Sequence, residues 1–300
     1  MRIRILVYAL IFVAAIFLIW GVYQFNESQG NISTYKGEVD LSSNETSLVS
    51  GGELNVRSAT APGSIAVGVY SFSGEKIVAL NDEKKWPIAS LSKLMTALVA
   101  FNEVGARERV IITQEMFERT EGYAGDFKVG EEYSVADLKT AILLVSNNVA
   151  AEALAHNIGR EKFLGLMNDY AARMELLDTH FVDPTGLSIG NQSTAKDLLK
   201  LVKHIIINEP GIFEISRQPA VFITDLTSGN SRELKNINQF AGATDFIGGK
   251  TGTTPEAVGN LISIFRGTKT GERFIIILLG TEDRYNETRS LLNYATTRSN

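Results

Sequence analysis

The order of periodicities along the chain predicts an α+β fold in three layers. Three observations carry this expectation: an early pair of short apolar runs around a turn dipeptide, a middle third with helical spacing, and strand signals that return towards the end. The early pair is "SIAVGVYSF" and "EKIVAL" around Ser73-Gly74, which reads as a β-hairpin. Helical spacing then runs over residues 90–104, 135–154, 162–174 and 194–207. Strand signals return at "AVFITDL", "GNLISIF" and "RFIIILLG", before an amphipathic helix around 287–295. The first hairpin is expected to join the last strands in one antiparallel sheet, and no internal repeat is visible.

Composition narrows the classes of function. Three hundred residues, 44% hydrophobic and 21% charged, allow one large domain or two small ones and exclude disorder throughout. A net charge of -5 gives no reason to expect a nucleic-acid partner, whose phosphates would favour a basic chain. The chain has no cysteine, which removes disulfides, thiolate nucleophiles and Cys-ligated metal sites together. His156, His180 and His204 are scattered without metal-ligand spacing, so neither metal nor cofactor is expected.

The N-terminus predicts the compartment. Residues 5–23, "ILVYALIFVAAIFLIWGVY", carry no charge, and at about 1.5 Å rise per residue they suffice to cross a bilayer core of roughly 30 Å. Arg2 and Arg4 precede this run and a polar, mildly acidic stretch follows, so the positive-inside rule puts the N-terminus in the cytoplasm and the remainder outside. A cleaved signal peptide, with secretion of the rest, is the competing reading. The apolar run is long for one, and no Ala-x-Ala exit site follows it. Residues 25–60 are rich in Ser, Asn and Gly without sustained period, the composition of a flexible tether. The expected organisation is a transmembrane anchor over 1–24, a flexible extracytoplasmic linker over 25–60 and a folded domain over 61–300.

Three short motifs could carry chemistry, and each occurs more than once. Lys-Thr-Gly occurs at Lys269, where "FRGTKTGERF" has the composition of a solvated hairpin turn, and at Lys250, where two glycines precede it on the lead-in to a strand. "GGKT" resembles the tail of a phosphate-binding loop, but Thr244 stands where that loop requires glycine. Among the Ser-x-x-Lys matches are Ser193, explained by a helix start in which Thr194 and Asp197 form a cap and Lys196 is solvated, and Ser90. In "SLSKLMTALVAFNEV" Lys93 is the single charge before Glu103 on a helix apolar nearly all round, hence buried. Burying an ammonium favours loss of its proton, which makes Lys93 a candidate general base for Ser90 one turn earlier. The helix N-terminus adds positive potential where an oxyanion would form. Ser-x-Asn occurs in the tether at Ser42, in the turn "DLTSGNSREL" at Ser228, and at Ser146. Ser146, Asn147 and Asn148 interrupt the apolar run "AILLVSNNVAAEALA", where three polar residues are expensive unless they line a cavity.

Ser-x-x-Lys, Ser-x-Asn and Lys-Thr-Gly in this order resemble the signature of the penicillin-recognising serine enzymes. "PIASLSKLMTAL", "LLVSNNVAAEALA", "THFVDPTGLSIGNQSTAKDL" and "LKNINQFAGATDFIGGKTGTTPEAVGNL" are similar to the D-alanyl-D-alanine carboxypeptidase family, the low-molecular-mass penicillin-binding proteins, over about residues 61–300. The resemblance implies a β-lactamase/transpeptidase-like fold, with an antiparallel sheet of about five strands packed with helices plus a mostly helical subdomain. Together with the N-terminal span it leads to the expectation of a single-pass protein of the bacterial cell membrane, and it implies peptidoglycan stem peptides as substrates, β-lactams as inhibitors, and no metal or cofactor. By it Ser90 is the acylated nucleophile, Lys93 its proton acceptor, and Ser146 with Lys250 a second route for the proton to the leaving amine. Asn148 holds the substrate backbone, Thr251, Gly252 and Thr253 help bind its carboxylate end, and the Ser90 and Thr253 amides form the oxyanion hole.

The chain also departs from the family. Many members carry Asn-Pro-His-Gly where this chain has Asp183, Pro184, Thr185 and Gly186, a form closer to the branch that includes D,D-endopeptidases. Carboxypeptidase and endopeptidase activity therefore both stand as expectations, the former as the main one. Longer members add a C-terminal β-rich domain and an amphipathic anchor, whose place the N-terminal span is expected to take. A carboxylate-binding arginine of the family falls near "LLGTEDRYNE", without being fixed at Arg284. A class A β-lactamase would need Ser-Asp-Asn in place of Ser146-Asn147-Asn148 and a Glu-x-x-x-Asn element between Ser146 and Lys250, and neither is present. Gly186 to Gly190 satisfies the Gly-x-Ser-x-Gly elbow, but the acid and histidine that must follow it are lacking, since Asp197 and His204 fall in one predicted helix. A catalytically inactive wall-binding module is the rival from a different class.

Overall fold

The computed structural model describes residues 49–50, 53–54, 66–120, 126–267 and 271–298, so the expected span and most of the linker lie outside the described residues. Among the described residues no helix is long and apolar enough to cross a membrane. A two-residue pair, β1 (Val49–Ser50) with β2 (Glu53–Leu54), precedes the main body.

The early hairpin forms as expected, with β3 (Ala66–Ser71) turning through Gly74 into β4 (Lys76–Leu80). It joins β11 (Phe246–Gly252), β12 (Asn260–Arg266) and β13 (Arg273–Leu279) in one five-stranded sheet of order β11-β12-β13-β3-β4, antiparallel throughout. Alternation of side chains divides the apolar run of β13 between two cores. Phe274, Ile276 and Leu278 pack with Val67, Val69, Leu261 and Phe265 beneath Leu291 and Ala295 of α8 (Arg284–Arg298). Ile275, Ile277 and Leu279 face the larger core, built on α1 (Lys93–Glu103), α3 (Val135–Leu144), α4 (Asn148–Asn157), α5 (Arg160–Arg173) and α6 (Ala195–Asn208). Helix, sheet and helices make the three expected layers.

Smaller elements frame the helical region: β5 (Trp86–Pro87) with β8 (Gln192–Ser193), β6 (Arg109–Ile111) with β7 (Glu132–Ser134), α2 (Gln114–Glu118) and α7 (Gly211–Ser216). The strand expected at "AVFITDL" is β9 (Ala220–Thr224), which pairs with β10 (Ser231–Lys235) as a separate hairpin outside the main sheet. Its turn holds Ser228 and Asn230, as expected for that Ser-x-Asn copy, with Gly229 at positive φ.

Two expectations are corrected. The helix expected over 135–154 is two helices, because Ser146 takes φ 57° and Asn147 caps α4 by accepting from the Ala150 amide at 2.8 Å. The Lys-Thr-Gly at Lys250 lies inside β11 rather than ahead of a strand, with Lys250 opposite Ile262 and Gly252 opposite Asn260. Around the other copy, Gly267 and Gly271 close a turn, while Lys269 lies outside the described residues.

Candidate active site

Three elements converge at one end of the sheet. Ser90 lies in a 3-10 turn, Ala89–Ser92, that runs into α1, so Ser90 and Lys93 share a face one turn apart. The Lys93 Nζ donates to Ser90 Oγ at 3.0 Å, to Asn148 Oδ1 at 2.7 Å and to the Thr185 carbonyl at 2.6 Å. These oxygens use its three donor directions, and among the described residues no carboxylate pairs with it. Lys93 is fully buried, and burial holds its amine down to about 7, although the charges of Asp183 and Glu152 act the other way.

A second serine-lysine pair faces the first. The break between α3 and α4 presents Ser146, whose Oγ accepts from Lys250 Nζ at 2.9 Å; the same amine donates to the Thr251 carbonyl at 2.9 Å. Burial is the main cause that holds the Lys250 amine well below the usual lysine range, with the charges of Lys93 and Arg284 acting in the same direction. Asn148, the first residue of α4, accepts from Lys93, so the Ser-x-Asn spacing across the helix break sends one residue to each lysine.

Glycine lets β11 reach the nucleophile turn. A Cβ on Gly252 would stand 2.8 Å from the Ile88 carbonyl oxygen and 3.2 Å from the Ser90 amide, so a side chain there would separate edge strand and turn. The opposite wall is the loop over residues 183–188, where Gly186 takes φ 84° against the Ala89 carbonyl. Ser90, Ser146, Asn148, Thr251, Gly252 and Thr253 all line one cleft of about 430 Å³, with Lys93 and Lys250 buried behind it. Among the described residues no carboxylate lines this cleft.

The structure thus brings together all eight site residues read from the sequence. It adds Arg284, which donates to Thr253 Oγ1 at 2.6 Å and the Gly252 carbonyl at 3.1 Å and lines the same cleft. It also adds the Thr185 carbonyl, a backbone acceptor for which no side-chain signal exists. The buried pair of Glu152 with Arg160, 2.9 Å apart, was missed too, although a lone acid in the apolar run of α4 is a sequence signal for a buried partner.

A serine hydroxyl on a buried amine of lowered proton affinity, with a second serine-amine pair across a cleft, defines a serine acyl-transfer enzyme geometry. Comparison with known proteins agrees. The profile of the S11 peptidases, described as D-alanyl-D-alanine carboxypeptidase, matches residues 56–283, and the chain belongs to this family. D-alanyl-D-alanine carboxypeptidase DacC of Escherichia coli is 30% identical over 242 residues, covering 74% of this chain and 58% of that protein. The chain therefore matches less than two thirds of that relative's length. A D-alanyl-D-alanine endopeptidase of Haemophilus influenzae is 33% identical, covering 65% of this chain and 68% of its own. Among solved structures, a D-alanyl-D-alanine carboxypeptidase from Mycobacterium tuberculosis superposes with a TM-score of 0.70 at 25% identity, over 77% of this chain and 90% of that one. Penicillin-binding protein D2 from Listeria monocytogenes, in its ampicillin-bound form, gives 0.64 at 31% identity over 76% and 95%.

Proposed function

We propose that this chain is a serine-type D-alanyl-D-alanine carboxypeptidase that hydrolyses the terminal bond of peptidoglycan stem peptides through an acyl-enzyme on Ser90. The observation that carries the reading is the 3.0 Å contact of Ser90 Oγ with a fully buried Lys93 amine that has no carboxylate partner among the described residues. Burial holds the amine down to about 7, so its unprotonated form is available near neutral pH and takes the hydroxyl proton as Oγ attacks the carbonyl carbon of the penultimate D-alanine. The Ser90 and Thr253 amides receive the developing oxyanion. The leaving D-alanine amine gains its proton through Ser146, relayed by Lys250 at 2.9 Å. Water then hydrolyses the ester, with the same amines returning the proton. Thr251, Gly252, Thr253 and Arg284 hold the C-terminal carboxylate, and Asn148 orients the peptide backbone. The relatives named as carboxypeptidases and the ampicillin-bound neighbour support this substrate class and β-lactams as inhibitors.

The test is mass spectrometry of the full chain after incubation with benzylpenicillin, followed by digestion with a pentapeptide and with cross-linked muropeptides. The expected result is an adduct on the peptide containing Ser90 and release of D-alanine from the pentapeptide. Folded protein with intact penicillin and no adduct points to a wall-binding module; penicillin consumed without an adduct points to a β-lactamase. Cleavage of cross-links with the pentapeptide left intact points to an endopeptidase. We further propose that residues 5–23 anchor the chain in the bacterial membrane with the folded domain outside, on their length, lack of charge and the flanking Arg2 and Arg4. Fractionation and protease accessibility of intact cells test this, and protection of the domain from external protease argues against it.

A further inference from the structure

The loop over residues 183–188 is built around one carboxylate. Asp183 Oδ1 accepts from the Thr185 amide, the Thr185 hydroxyl and the Gly186 amide, each at 2.6 Å, and Oδ2 accepts from the Ser188 amide at 2.9 Å. Asn191 clamps the start of the loop, accepting from the Val182 and Asp183 amides and donating to the Asp183 carbonyl and Ser92 Oγ. Held this way, two successive carbonyls point into α1. The Pro184 oxygen accepts from Thr96 Oγ1 at 2.6 Å, and the Thr185 oxygen accepts from Lys93 Nζ at 2.6 Å.

Three acceptors fix the Lys93 amine: Asn148 from α4, Ser90 from its own turn, and Thr185 from this loop. With the Thr185 oxygen displaced, the amine would keep Asn148 and lose the constraint that holds it against Ser90. We infer that Asp183 is a positioning residue for acylation, acting through the Thr185 carbonyl to hold the Lys93 amine on the Ser90 hydroxyl. This rests on the reading of Lys93 as the base.

The charge of Asp183 gives that role a signature distinct from loop stability. Among the described residues no lysine, arginine or histidine pairs with Asp183, whereas Glu152, the other carboxylate felt by Lys93, is neutralised by Arg160 at 2.9 Å. The cation across the site is Lys250, itself of lowered proton affinity. An uncompensated carboxylate favours the protonated amine, opposing burial, so its removal shifts the titration of Lys93 to lower pH. A loop cap whose charge does not reach Lys93 would leave that midpoint in place.

The experiment measures the acylation rate of the full chain by a fluorescent penicillin against pH, for the wild type, Asp183→Ala and Asp183→Asn, with melting curves as a check on folding. In Asp183→Ala both the acceptors and the charge are lost, and the limiting rate is expected to fall on the order of 10²-fold, the cost of about 1 Å of misplacement. Asp183→Asn loses the charge and the acceptor for the Ser188 amide, while its one amide oxygen can still accept from the Thr185 and Gly186 amides, so acylation falls less than in Asp183→Ala and its rise occurs at lower pH than in the wild type. A wild-type rate in Asp183→Ala, or an unmoved midpoint in Asp183→Asn, overturns the inference while leaving the proposed function standing. A wild-type chain that is never acylated removes the proposed function and this inference together.

Discussion

Replacing Gly186 by alanine tests the link between the loop and the nucleophile, because the side chain would be driven into the backbone that carries Ser90. A Cβ at residue 186 would stand 1.9 Å from the Ala89 carbonyl oxygen, 2.4 Å from its carbonyl carbon and 2.9 Å from the Ser90 amide. Ordinary contact begins near 3.4 Å, so loop and turn must separate by about 1.5 Å. The left-handed φ of 84° adds about 1–2 kcal/mol for any L side chain, and overpacking adds about 1–3 kcal/mol. Together they predict a loss of about 2–5 kcal/mol, or roughly 5–15 °C in melting temperature for a domain of this size. Displacing Ser90 by about 1 Å predicts a fall in acylation on the order of 10²-fold. Gly229→Ala is the control. It shares a positive φ, but nothing lies within 4 Å of its Cβ, so it should lose about 1 kcal/mol and acylate at the wild-type rate. Stopped-flow acylation with a fluorescent penicillin and melting curves measure both effects. Wild-type acylation in folded Gly186→Ala would refute the claim that this glycine is required by the close approach of the loop to Ser90.

Three further outcomes are expected. Ser146→Gly keeps the left-handed backbone at φ 57° and removes the hydroxyl facing Lys250, so turnover of a pentapeptide should fall by about 10²–10⁴-fold in steady-state assays without loss of the fold. Lys93 sits at about 7 in the folded chain and near 10.4 unfolded, so between these values the unfolded state binds more protons and stability rises with pH. Lys93→Met should lack that share of the rise, read as melting temperature against pH for both proteins; identical slopes would contradict a buried amine of lowered proton affinity. Glu152→Ala strands the Arg160 charge and should destabilise by about 3 kcal/mol, at the lower end of the usual range because the Arg160 side chain keeps 19% of its exposure. Chemical denaturation measures this, and a change below about 1 kcal/mol counts against it.

Which features the sequence revealed follows from the range over which each interaction acts. Ser90 with Lys93 was readable because both lie one turn apart on a single helix, and the apolar surroundings of Lys93 announce burial without knowledge of what packs there. The polar interruption at Ser146 was readable as a site, but its conformation was not: a left-handed residue between two helices depends on Asn147 starting the second. Strand β11 was underread because "FIGGKTG" is poor in β-branched residues; its pairing comes from β12, whose apolar sequence supplies the pattern for both. The Thr185 carbonyl is visible only with the tertiary structure, since a backbone acceptor has no residue code, and Arg284, a candidate left unfixed by the sequence, is placed by its reach to Thr253 from the start of α8.

The two lysines also explain one another. Each is buried, each donates to a serine, and among the described residues neither has a carboxylate partner. The charge on Lys93 depresses Lys250, so the doubly protonated site is the least favoured and the cluster is disposed to hold at most one proton between its two amines. Acyl transfer requires a proton to leave one serine hydroxyl and another to reach the departing amine. A pair of amines that resist simultaneous charging is suited to receiving the first and supplying the second. A carboxylate paired directly with either amine would hold it as an ammonium and oppose this; Asp183 acts on Lys93 without pairing with it, and among the described residues no carboxylate lines the cleft. The unpaired burial of both amines, unfavourable to stability at neutral pH, is thus the property from which the proposed chemistry follows.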